Sequence, residues 1–587
     1  MMDLSPEQRE AGKRDFVDAI NGVIHGPAGT VNRRDFIKES AAAGAVAVGG
    51  MGAFYFGYGA SVANPVRVGV IGTGDEGNVL IGAINPDYME VKAIADIRPY
   101  SIHRAFHGDV YSAAALEARP GMLTHFGWKT EEEARKHVKV YGPWQDLIRN
   151  ARRDGLEAVI IALPLHLHAP AAICAMRAGL HVLTEKLMGH SVHECKEMAR
   201  VAKETRKYLA TGHQRHYSIL YDNAVDQIKR GLLGDLHYIR AQWHRGNMPG
   251  TDSWQQPLPP QVKPEDPDAK QLANQLRSWR ARLDAARGRE IDEWRRKVAQ
   301  LEAQLADKIL HEQKGESGKR LAEEYGYRAE QFEFPGGRTY ERPAIEELIR
   351  WRLWERTGGG LMAELGSHQL DAASIFVAAA HGGEKQLPLN VVAAGNRPIF
   401  GPDREADDHV YCIIEFPAPG YDPDDKVGRR KKIGMQYASI NGNGFEGYGE
   451  IAFGTDGTLI LEREQDAMLL QSAARASRMA VQAAPSLDTQ ASGPVQQAAD
   501  GGPSVAVSRG YREQGEHWAW CIRNPSPQNQ PRCHPKVALG DAVIALTTNL
   551  AIHQKERIEF DPAWFDPEDD TTPEGIAPDT TRDSYTL

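Results

Sequence analysis

The chain has 587 residues, of which 41% are hydrophobic and 25% charged, an ordinary composition for a globular protein of roughly three or four domains. Its formal net charge is −10 at pH 7 and no basic block interrupts the body of the chain, so nucleic acid is not an expected partner. The five cysteines lack C-x-x-C spacing, which argues against a zinc site or a disulfide framework.

The first 63 residues form a separate segment. Residues 1–31 are polar and of mixed charge, so we expect them to be disordered. The pair Arg33-Arg34 then precedes the apolar, glycine-rich run Ala41–Phe56, a pattern typical of a twin-arginine export signal. Small residues at Ser61–Ala63 suit a signal peptidase, so we expect the twin-arginine machinery to export the protein to the periplasm. The longer apolar run from Ala41 to Ala63 is also nearly long enough to span a bilayer, which leaves an uncleaved N-terminal membrane anchor as the alternative.

A glycine-rich turn follows. A predicted strand at Val66–Ile71 runs into Gly72, Gly74 and Gly77, and a helical pattern and a second strand follow before Asp96. In a dinucleotide site the first glycine allows the tight turn, the second lets the backbone approach a pyrophosphate, and the third lets the helix pack closely on the strand. The helix N-terminus offers free N–H groups to the phosphates, and the acid accepts hydrogen bonds from a ribose. The context predicts a nucleotide site, and a purely structural turn is the alternative.

Strands and helices alternate up to residue 212. The apolar run Leu156–Leu163 is typical of a buried parallel strand, and His181–Thr184 and Tyr208–Gly212 are two more strand candidates. This alternation predicts a doubly wound parallel sheet, a Rossmann domain over residues 64–212. Because ligands bind at the carboxyl ends of such strands, we expect cofactor contacts from Gly72, Thr73, Gly74, Gly77, Asp96, Arg98, Leu163, Pro164, His168, Glu185 and Lys186.

Residues 213–565 predict an α+β domain with a large antiparallel sheet, which would bind substrate and mediate oligomerisation. The predicted strands are Gly234–His244, Asn390–Arg397, His409–Phe416, Ile433–Asn441, Glu450–Gly454 and Thr458–Glu462. Residues 255–350 interrupt this domain with a proline-rich linker and a helical arm, which we expect to serve oligomer contacts or as a lid without chemistry of its own. Residues 471–507 form a low-complexity stretch that predicts a mobile loop, and residues 566–587 predict an extended acidic tail.

A second motif carries chemistry. Three glycines at 358–360 precede a predicted helix on which Glu364 and His368 lie four residues apart, with Asp371 one turn further on. A carboxylate beside an imidazole holds one tautomer and raises its basicity, and Lys186 from the Rossmann side would complete a Lys/His/carboxylate cluster. A structural pairing of an acid with a core histidine is the alternative. Zinc would need a third ligand at fitting spacing, and none follows, so no metal is predicted.

These motifs together resemble the Gfo/Idh/MocA family, which includes glucose–fructose oxidoreductase and inositol dehydrogenases. The motifs that carry the resemblance are Gly72-x-Gly74-x-x-Gly77, Ala162-Leu-Pro164, Glu185-Lys186, and Gly358-Gly-Gly with Glu364-x-x-x-His368-x-x-Asp371. The resemblance covers residues 64–250 and 350–560. It implies that Lys186, Glu364 and His368 surround the reacting carbinol beside the nicotinamide. There are two departures from the family pattern: Leu187 stands where proline is usual, and Glu364 replaces an aspartate and is one methylene longer.

The resemblance implies hydride transfer between a sugar or polyol carbinol and a nicotinamide. His368 would take the hydroxyl proton, Glu364 would orient His368 or bind a neighbouring hydroxyl, and Lys186 would stabilise the developing alkoxide. The expected substrate contacts are Gln214, Arg215, Trp243, His244 and Asp371. Two alternatives remain: a glycosidase that uses bound NAD for transient oxidation at C3, and a non-catalytic sugar-binding or scaffold protein.

NAD is the expected cofactor rather than NADP. Asp96 would repel a 2′-phosphate, and Asp75 and Glu76 add negative charge nearby, whereas Arg98 is the counter-evidence because it could pair with that phosphate. Export of a folded protein implies that the nucleotide is acquired in the cytoplasm and held tightly. The family habit further implies a homo-oligomer formed through the antiparallel sheet.

Overall fold

The computed structural model describes residues 4–22, 50–334, 337–471, 475–480 and 509–587, so the Arg33-Arg34 pair lies outside the described residues. Helix α1 (Pro6–Gly22) begins the described chain and helix α2 (Gly50–Phe56) precedes the first sheet. The predicted disorder of residues 1–31 is wrong for α1. Its Gly12 and Phe16 are buried, because together with Ala19 they form an apolar stripe at helical spacing that packs on the second sheet.

The end of the predicted signal segment also lies in the folded body. Phe56 and Tyr58 are buried, and the Phe56 ring contacts Tyr217 at a centroid distance of 5.5 Å. The Tyr58 hydroxyl donates to a carboxylate oxygen of Glu516 at 2.7 Å. The last turn of the apolar run therefore packs against elements far along the chain.

The first sheet confirms the predicted doubly wound fold. Its six strands are β1 (Val66–Ile71), β2 (Met89–Ala95), β3 (Lys139–Tyr141), β4 (Ala158–Ile161), β5 (His181–Thr184) and β6 (Leu209–Thr211). They are parallel in the order β3-β2-β1-β4-β5-β6. The helices around this sheet are α3 (Asp75–Ala83), α4 (Pro99–His107), α5 (Ala113–Ala118), α6 (Gly121–Phe126), α7 (Glu131–His137), α8 (Trp144–Asn150), α9 (His168–Arg177) and α10 (Val192–Thr205).

Helix α11 (Ile219–Lys229) and strand β7 (Leu236–His244) begin the second domain, and the chain then enters the arm. The arm contains α12 (Pro267–Ala285), α13 (Glu290–Ala306), α14 (Ile309–Glu312), α15 (Leu321–Glu324), the hairpin of β8 (Glu330–Phe334) and β9 (Arg338–Arg342), and α16 (Ala344–Ile349). Its first two helices share an apolar seam. The arm docks on the Rossmann domain, because the Gln300 amide donates to Asp109 at 2.8 Å and accepts from the Val110 N–H at 2.7 Å.

The second sheet has nine strands in the order β16-β15-β14-β13-β7-β12-β11-β10-β17. The remaining strands are β10 (Asn390–Asn396), β11 (His409–Pro417), β12 (Lys432–Ile440), β13 (Tyr448–Gly454), β14 (Gly457–Glu462), β15 (Asp466–Gln471), β16 (Arg475–Ala480) and β17 (Ile558–Glu559). The sheet is antiparallel except for the parallel pair β7–β12. Strand β16 falls within residues 471–507, where we predicted a loop, and residues 481–508 lie outside the described residues.

Four helices complete the chain: α17 (Glu355–Gly358), α18 (Ser367–Ala380), α19 (Tyr511–Arg523) and α20 (Pro535–Gln554). Among the described residues α20 alone is long and apolar enough to cross a membrane, and 72% of its most apolar stretch is buried in the protein, as in a core helix. The acidic tail is extended and packed against α10, where the Lys196 ammonium donates to the carbonyl oxygens of Ala563, Asp569 and Thr571 at 2.9, 2.9 and 2.7 Å.

Candidate active site

The turn between β1 and α3 has the geometry that a dinucleotide needs. Gly72 has φ +85°, and a Cβ at Gly72 or Gly77 would lie less than 3.0 Å from a backbone carbonyl oxygen, so both positions require glycine. A Cβ at Gly74, in contrast, would have no atom within 4 Å. The second glycine therefore faces open space at the N-terminus of α3. This cradle fits a pyrophosphate, which would be held by the N–H groups and the helix dipole.

Asp96 lies at the carboxyl end of β2, beside this turn. Its two carboxylate oxygens accept from the backbone N–H groups of Thr73 at 2.7 Å and Arg98 at 2.8 Å. Burial raises the pKa of Asp96 above its ordinary value. The oxygens keep further lone pairs for ribose hydroxyls.

Arg98 is held by the arm. Its Nε donates to Asp307 Oδ2 at 2.9 Å, and Asp307 is fully buried. Of the two acids inside the turn, Asp75 also has its negative charge compensated, because the Arg104 guanidinium donates to its carboxylate at 2.6 Å. Burial raises the pKa of Asp75, but the neighbouring Arg104 outweighs this and the net shift is downward.

One cavity of about 400 Å³ joins the turn to the second domain. Thirteen of the predicted site residues line it: Gly72, Gly74, Asp96, Arg98, Leu163, Pro164, His168, Glu185, Lys186, Gln214, Trp243, Glu364 and His368. The glycine turn and the predicted catalytic cluster, almost three hundred residues apart in sequence, therefore share one space.

Lys186 and Glu364 meet in this cavity. The Lys186 ammonium donates to the backbone oxygen of Glu364 at 2.6 Å and lies 3.8 Å from its carboxylate. The peptide bond that follows Lys186 is cis, at the position where the family pattern has proline. Glu364 lies on a single π-helical turn, Met362–Gly366, just before α18. Its carboxylate accepts from Arg352 Nε at 2.9 Å, so an arginine that the motifs did not indicate fixes this acid.

His368 lies at the start of α18, one turn after Glu364, and is 8% exposed. Its ring centroid is 5.5 Å from that of Trp243. Burial, together with the positive charges of Lys186 and Arg215, lowers the pKa of His368 well below its ordinary value. The imidazole is therefore neutral at pH 7 and able to accept a proton.

Five predicted residues do not line the cavity. Thr73 and Gly77 shape the turn from behind. His244 follows Trp243 in β7, and because successive strand residues face opposite sides, only the indole points into the cavity. Arg215 is buried, where it donates to Glu450 and Glu464 at 2.8 Å each, and Asp371 is buried against His216 at 2.9 Å. Of the expected substrate contacts, Gln214 and Trp243 therefore line the cavity, and Arg215, His244 and Asp371 do not.

The arm contributes residues to the wall of the cavity, a position compatible with the expected lid. Residues from the arm and the adjoining segment that line the cavity are Gln256, Glu324, Tyr325, Gly326, Tyr327, Leu348, Trp351 and Arg352, and the C-terminal part adds Arg509 and Tyr511. No periodicity or motif marks these residues in the sequence. The arm therefore forms part of the wall of this cavity.

The sheet order, the glycine cradle and the shared cavity define a Rossmann protein of the dinucleotide-binding class. Residues 66–213 match the Gfo/Idh/MocA family model, described as an oxidoreductase family with an NAD-binding Rossmann fold. This part of the chain is thus similar to the NAD-binding Rossmann domain of the Gfo/Idh/MocA oxidoreductase family.

Curated relatives match the same region. A glycosyl hydrolase family 109 protein from Stenotrophomonas maltophilia is 29% identical over 181 residues, 30% of this chain and 35% of that protein. The 1-carboxy-3-chloro-3,4-dihydroxycyclohexa-1,5-diene dehydrogenase of Comamonas testosteroni is 27% identical over 177 residues, 30% of this chain and 37% of that protein. The chain thus spans about a third of the length of these relatives.

Solved structures are also similar. An inositol dehydrogenase homologue from Azotobacter vinelandii, in complex with NADH and myo-inositol, has a TM-score of 0.49 at 11% identity, over 85% of this chain and 98% of that one.

Proposed function

We propose that this protein is an NAD-dependent oxidoreductase that acts on a hydroxyl group of a carbohydrate or polyol by hydride transfer. The observation that carries the proposal is the convergence of Lys186, Glu364 and His368 in the cavity that the open face of Gly74 also lines. Trp243 and Gln214 on the same wall suit a sugar, because an aromatic face and an amide complement its C–H and O–H groups.

The three side chains have different roles in this proposal. A nicotinamide dinucleotide bound at the glycine turn supplies the hydride acceptor. The neutral imidazole of His368 takes the proton of the substrate hydroxyl, and the Lys186 ammonium stabilises the alkoxide that develops. Glu364, held by Arg352, positions Lys186 and binds a neighbouring hydroxyl. The surrounding walls exclude water and strengthen these interactions.

The charged residues near the ribose subsite favour NAD over NADP. Near the ribose subsite lie the carboxylates of Asp96 and Asp307, and the Arg98 side chain donates to Asp307 rather than to Asp96. Arg98 is therefore neutralised by Asp307, and the remaining charge of Asp96 repels a 2′-phosphate.

The test combines nucleotide identification with two variants. The nucleotide released from purified protein is identified by mass, and a panel of sugars and polyols is assayed for nucleotide reduction. Lys186→Ala and His368→Ala are each expected to lower turnover by about 10²–10⁴-fold, while NADH affinity changes little. Lys136→Ala and His137→Ala, exposed positions on α7, serve as matched controls. Turnover unaffected by both active-site changes would refute the assignment.

A second candidate is an NAD-dependent glycosidase that oxidises the sugar transiently at C3, eliminates the aglycone, adds water to the resulting double bond and reduces the C3 ketone again. The similarity to the glycosyl hydrolase family 109 protein of Stenotrophomonas maltophilia favours this candidate. Redox balance separates the two: a glycosidase releases aglycone without net NADH formation, whereas a dehydrogenase needs an external acceptor or a second sugar.

We also propose twin-arginine export to the periplasm, which the Arg33-Arg34 pair supports, and a homo-oligomer formed through the outer face of the second sheet. Apolar side chains are exposed there, with Val392 at 48% and Ile413 at 56%. Light scattering of an Ile413→Lys variant tests the assembly. The amount of protein in the periplasm, compared between the wild type and an Arg33→Lys/Arg34→Lys variant, tests export. The molecular mass of the recovered protein tests cleavage.

A further inference from the structure

A cluster of side chains of the types that bind metal ions lies outside the active site. His213 and His216 follow β6, Asp371 lies on α18, and Cys533 and Asp541 belong to the chain around the start of α20. The candidate ligand atoms of His213, Asp371 and Asp541 all lie within 4.8 Å of one another. A second group at the same spacing, His216, Cys533 and Asp541, shares Asp541. Three remote segments thus present nitrogen, oxygen and sulfur atoms to one small volume.

The atoms that face this volume lack hydrogen-bond partners in the described part of the protein. His213 and Asp371 are each 1% exposed and Asp541 is 0% exposed. Both ring nitrogens of His213 and the Oδ2 atoms of Asp371 and Asp541 make no hydrogen bond. His213 Nδ1 lies 3.4 Å from Asp371 Oδ2, but without hydrogen-bond alignment. Buried polar atoms are nearly always paired, so unbonded side-chain atoms on three residues at this spacing indicate a ligand, to which His213 would offer one of its two ring nitrogens.

The other carboxylate oxygens are already fixed. The Lys385 ammonium donates to Asp541 Oδ1 at 2.6 Å, and His216 Nε2 lies 2.9 Å from Asp371 Oδ1. Each acid is therefore oriented by a neighbour through one oxygen and keeps the second oxygen for the shared volume. This is the arrangement of carboxylate ligands in metal sites, where an outer partner holds each ligand in place.

We propose that His213, Asp371 and Asp541 bind one divalent transition-metal ion of the zinc class, with Cys533, which lies beside Asp541, as the fourth ligand. Imidazole nitrogen with carboxylate oxygen suits zinc and its first-row neighbours, whereas magnesium and calcium prefer oxygen alone. The cation compensates the two buried carboxylates together with Lys385. A cavity of about 380 Å³, lined by His216, Asp371 and Lys385, provides the path of entry.

The position of the site suggests a positioning role. An ion here would join the end of the last Rossmann strand to α18 and α20. His213 lies beside the proposed base, with 6.4 Å between the ring centroids of His213 and His368. The ion would therefore fix the helix that carries His368 without touching the substrate.

The first test uses the full-length wild-type protein and measures metal directly. Elemental analysis after equilibration with Zn²⁺ and gel filtration is expected to find about one ion per chain, and chelation should remove it and lower the melting temperature. Titration of the chelated protein with Co²⁺ is expected to produce the visible absorption of a low-symmetry cobalt site. Fewer than about one ion per ten chains, with no cobalt spectrum, overturns the proposal.

The second test assigns the ligands. The double variant His213→Gln/Asp541→Asn keeps side-chain size and is expected to bind at least about 100-fold less metal at the same free concentration. The matched control is His107→Gln/Glu131→Gln, which removes a half-exposed histidine–carboxylate pair on the Rossmann surface. Metal retained at the wild-type level in the double variant overturns the assignment. Because the readout is metal content, the result is independent of whether the protein oxidises a sugar.

Discussion

Substitution of Gly74 by alanine separates a nucleotide site from a structural glycine turn. Gly74 has φ −67° and ψ −153°, which alanine adopts without the strain of a positive φ. The added methyl group would meet no protein atom within 4 Å. It would instead occupy the space in the cavity where the cradle predicts the pyrophosphate.

The magnitude follows from these contacts. Reduced freedom of the unfolded chain stabilises a Gly→Ala variant by about 0.4–1 kcal/mol, and the poorer capping of α3 by alanine offsets a similar amount. We therefore expect the free energy of unfolding to change by less than about 1 kcal/mol. Displacement of a phosphate from one backbone N–H costs about 1.5–3 kcal/mol, which corresponds to roughly 10–100-fold weaker NADH binding.

Calorimetric titration of nucleotide-free protein with NADH and thermal unfolding measure the two quantities. Gly77→Ala is the control, because its Cβ would lie less than 3.0 Å from the Gly72 carbonyl oxygen. This variant is expected to lose about 1–3 kcal/mol of stability. If Gly74→Ala folds normally and binds NADH with wild-type affinity, the cradle does not hold a pyrophosphate and the reasoning is refuted.

Three further predictions test the site and its surroundings. Arg352→Met removes the 2.9 Å hydrogen bond to Glu364 and should lower turnover about 10–100-fold at unchanged NADH affinity; unchanged turnover would show that Glu364 needs no anchor. Asp307→Asn frees the charge of Arg98 and should reduce the preference for NAD over NADP about tenfold, measured as the ratio of their dissociation constants, and a constant ratio contradicts the charge argument. Burial lowers the pKa of His181 and His517 from 6.5 to about 4, so the unfolded chain binds protons in this window that the folded chain does not. Stability to urea should therefore be complete above pH 6.5 and fall as the pH drops towards 4, and equal midpoints at pH 7 and 5 would contradict this.

Local features of the site could be predicted from the sequence. The spacing of Gly72, Gly74 and Gly77 indicates the turn, because Gly77 packs against the carbonyl group of Gly72 a few residues earlier and Gly74 faces open space. The four-residue interval between Glu364 and His368 places both on one side of the chain by helix geometry alone. The six strands that were predicted for the second sheet appear within two residues of their predicted ends, since alternation of burial along a strand is a local property, whereas β15, β16 and β17 were not predicted.

Only the tertiary structure decided which distant residues meet. Arg352 anchors Glu364 and Asp307 neutralises Arg98, and neither pairing follows from a motif, because burial selects the partner only after the arm has docked. Arg215, adjacent to Gln214 in sequence, turns to Glu450 instead of the substrate cavity.

The same holds for the proposed metal site. The scattered cysteines argued against zinc, yet His213, Asp371 and Asp541 come within ligand distance through the packing of α18 and α20 on the last Rossmann strand. Spacing along the chain shows ligands only when one element carries them. When three elements each supply one ligand, the site exists only once the elements are packed.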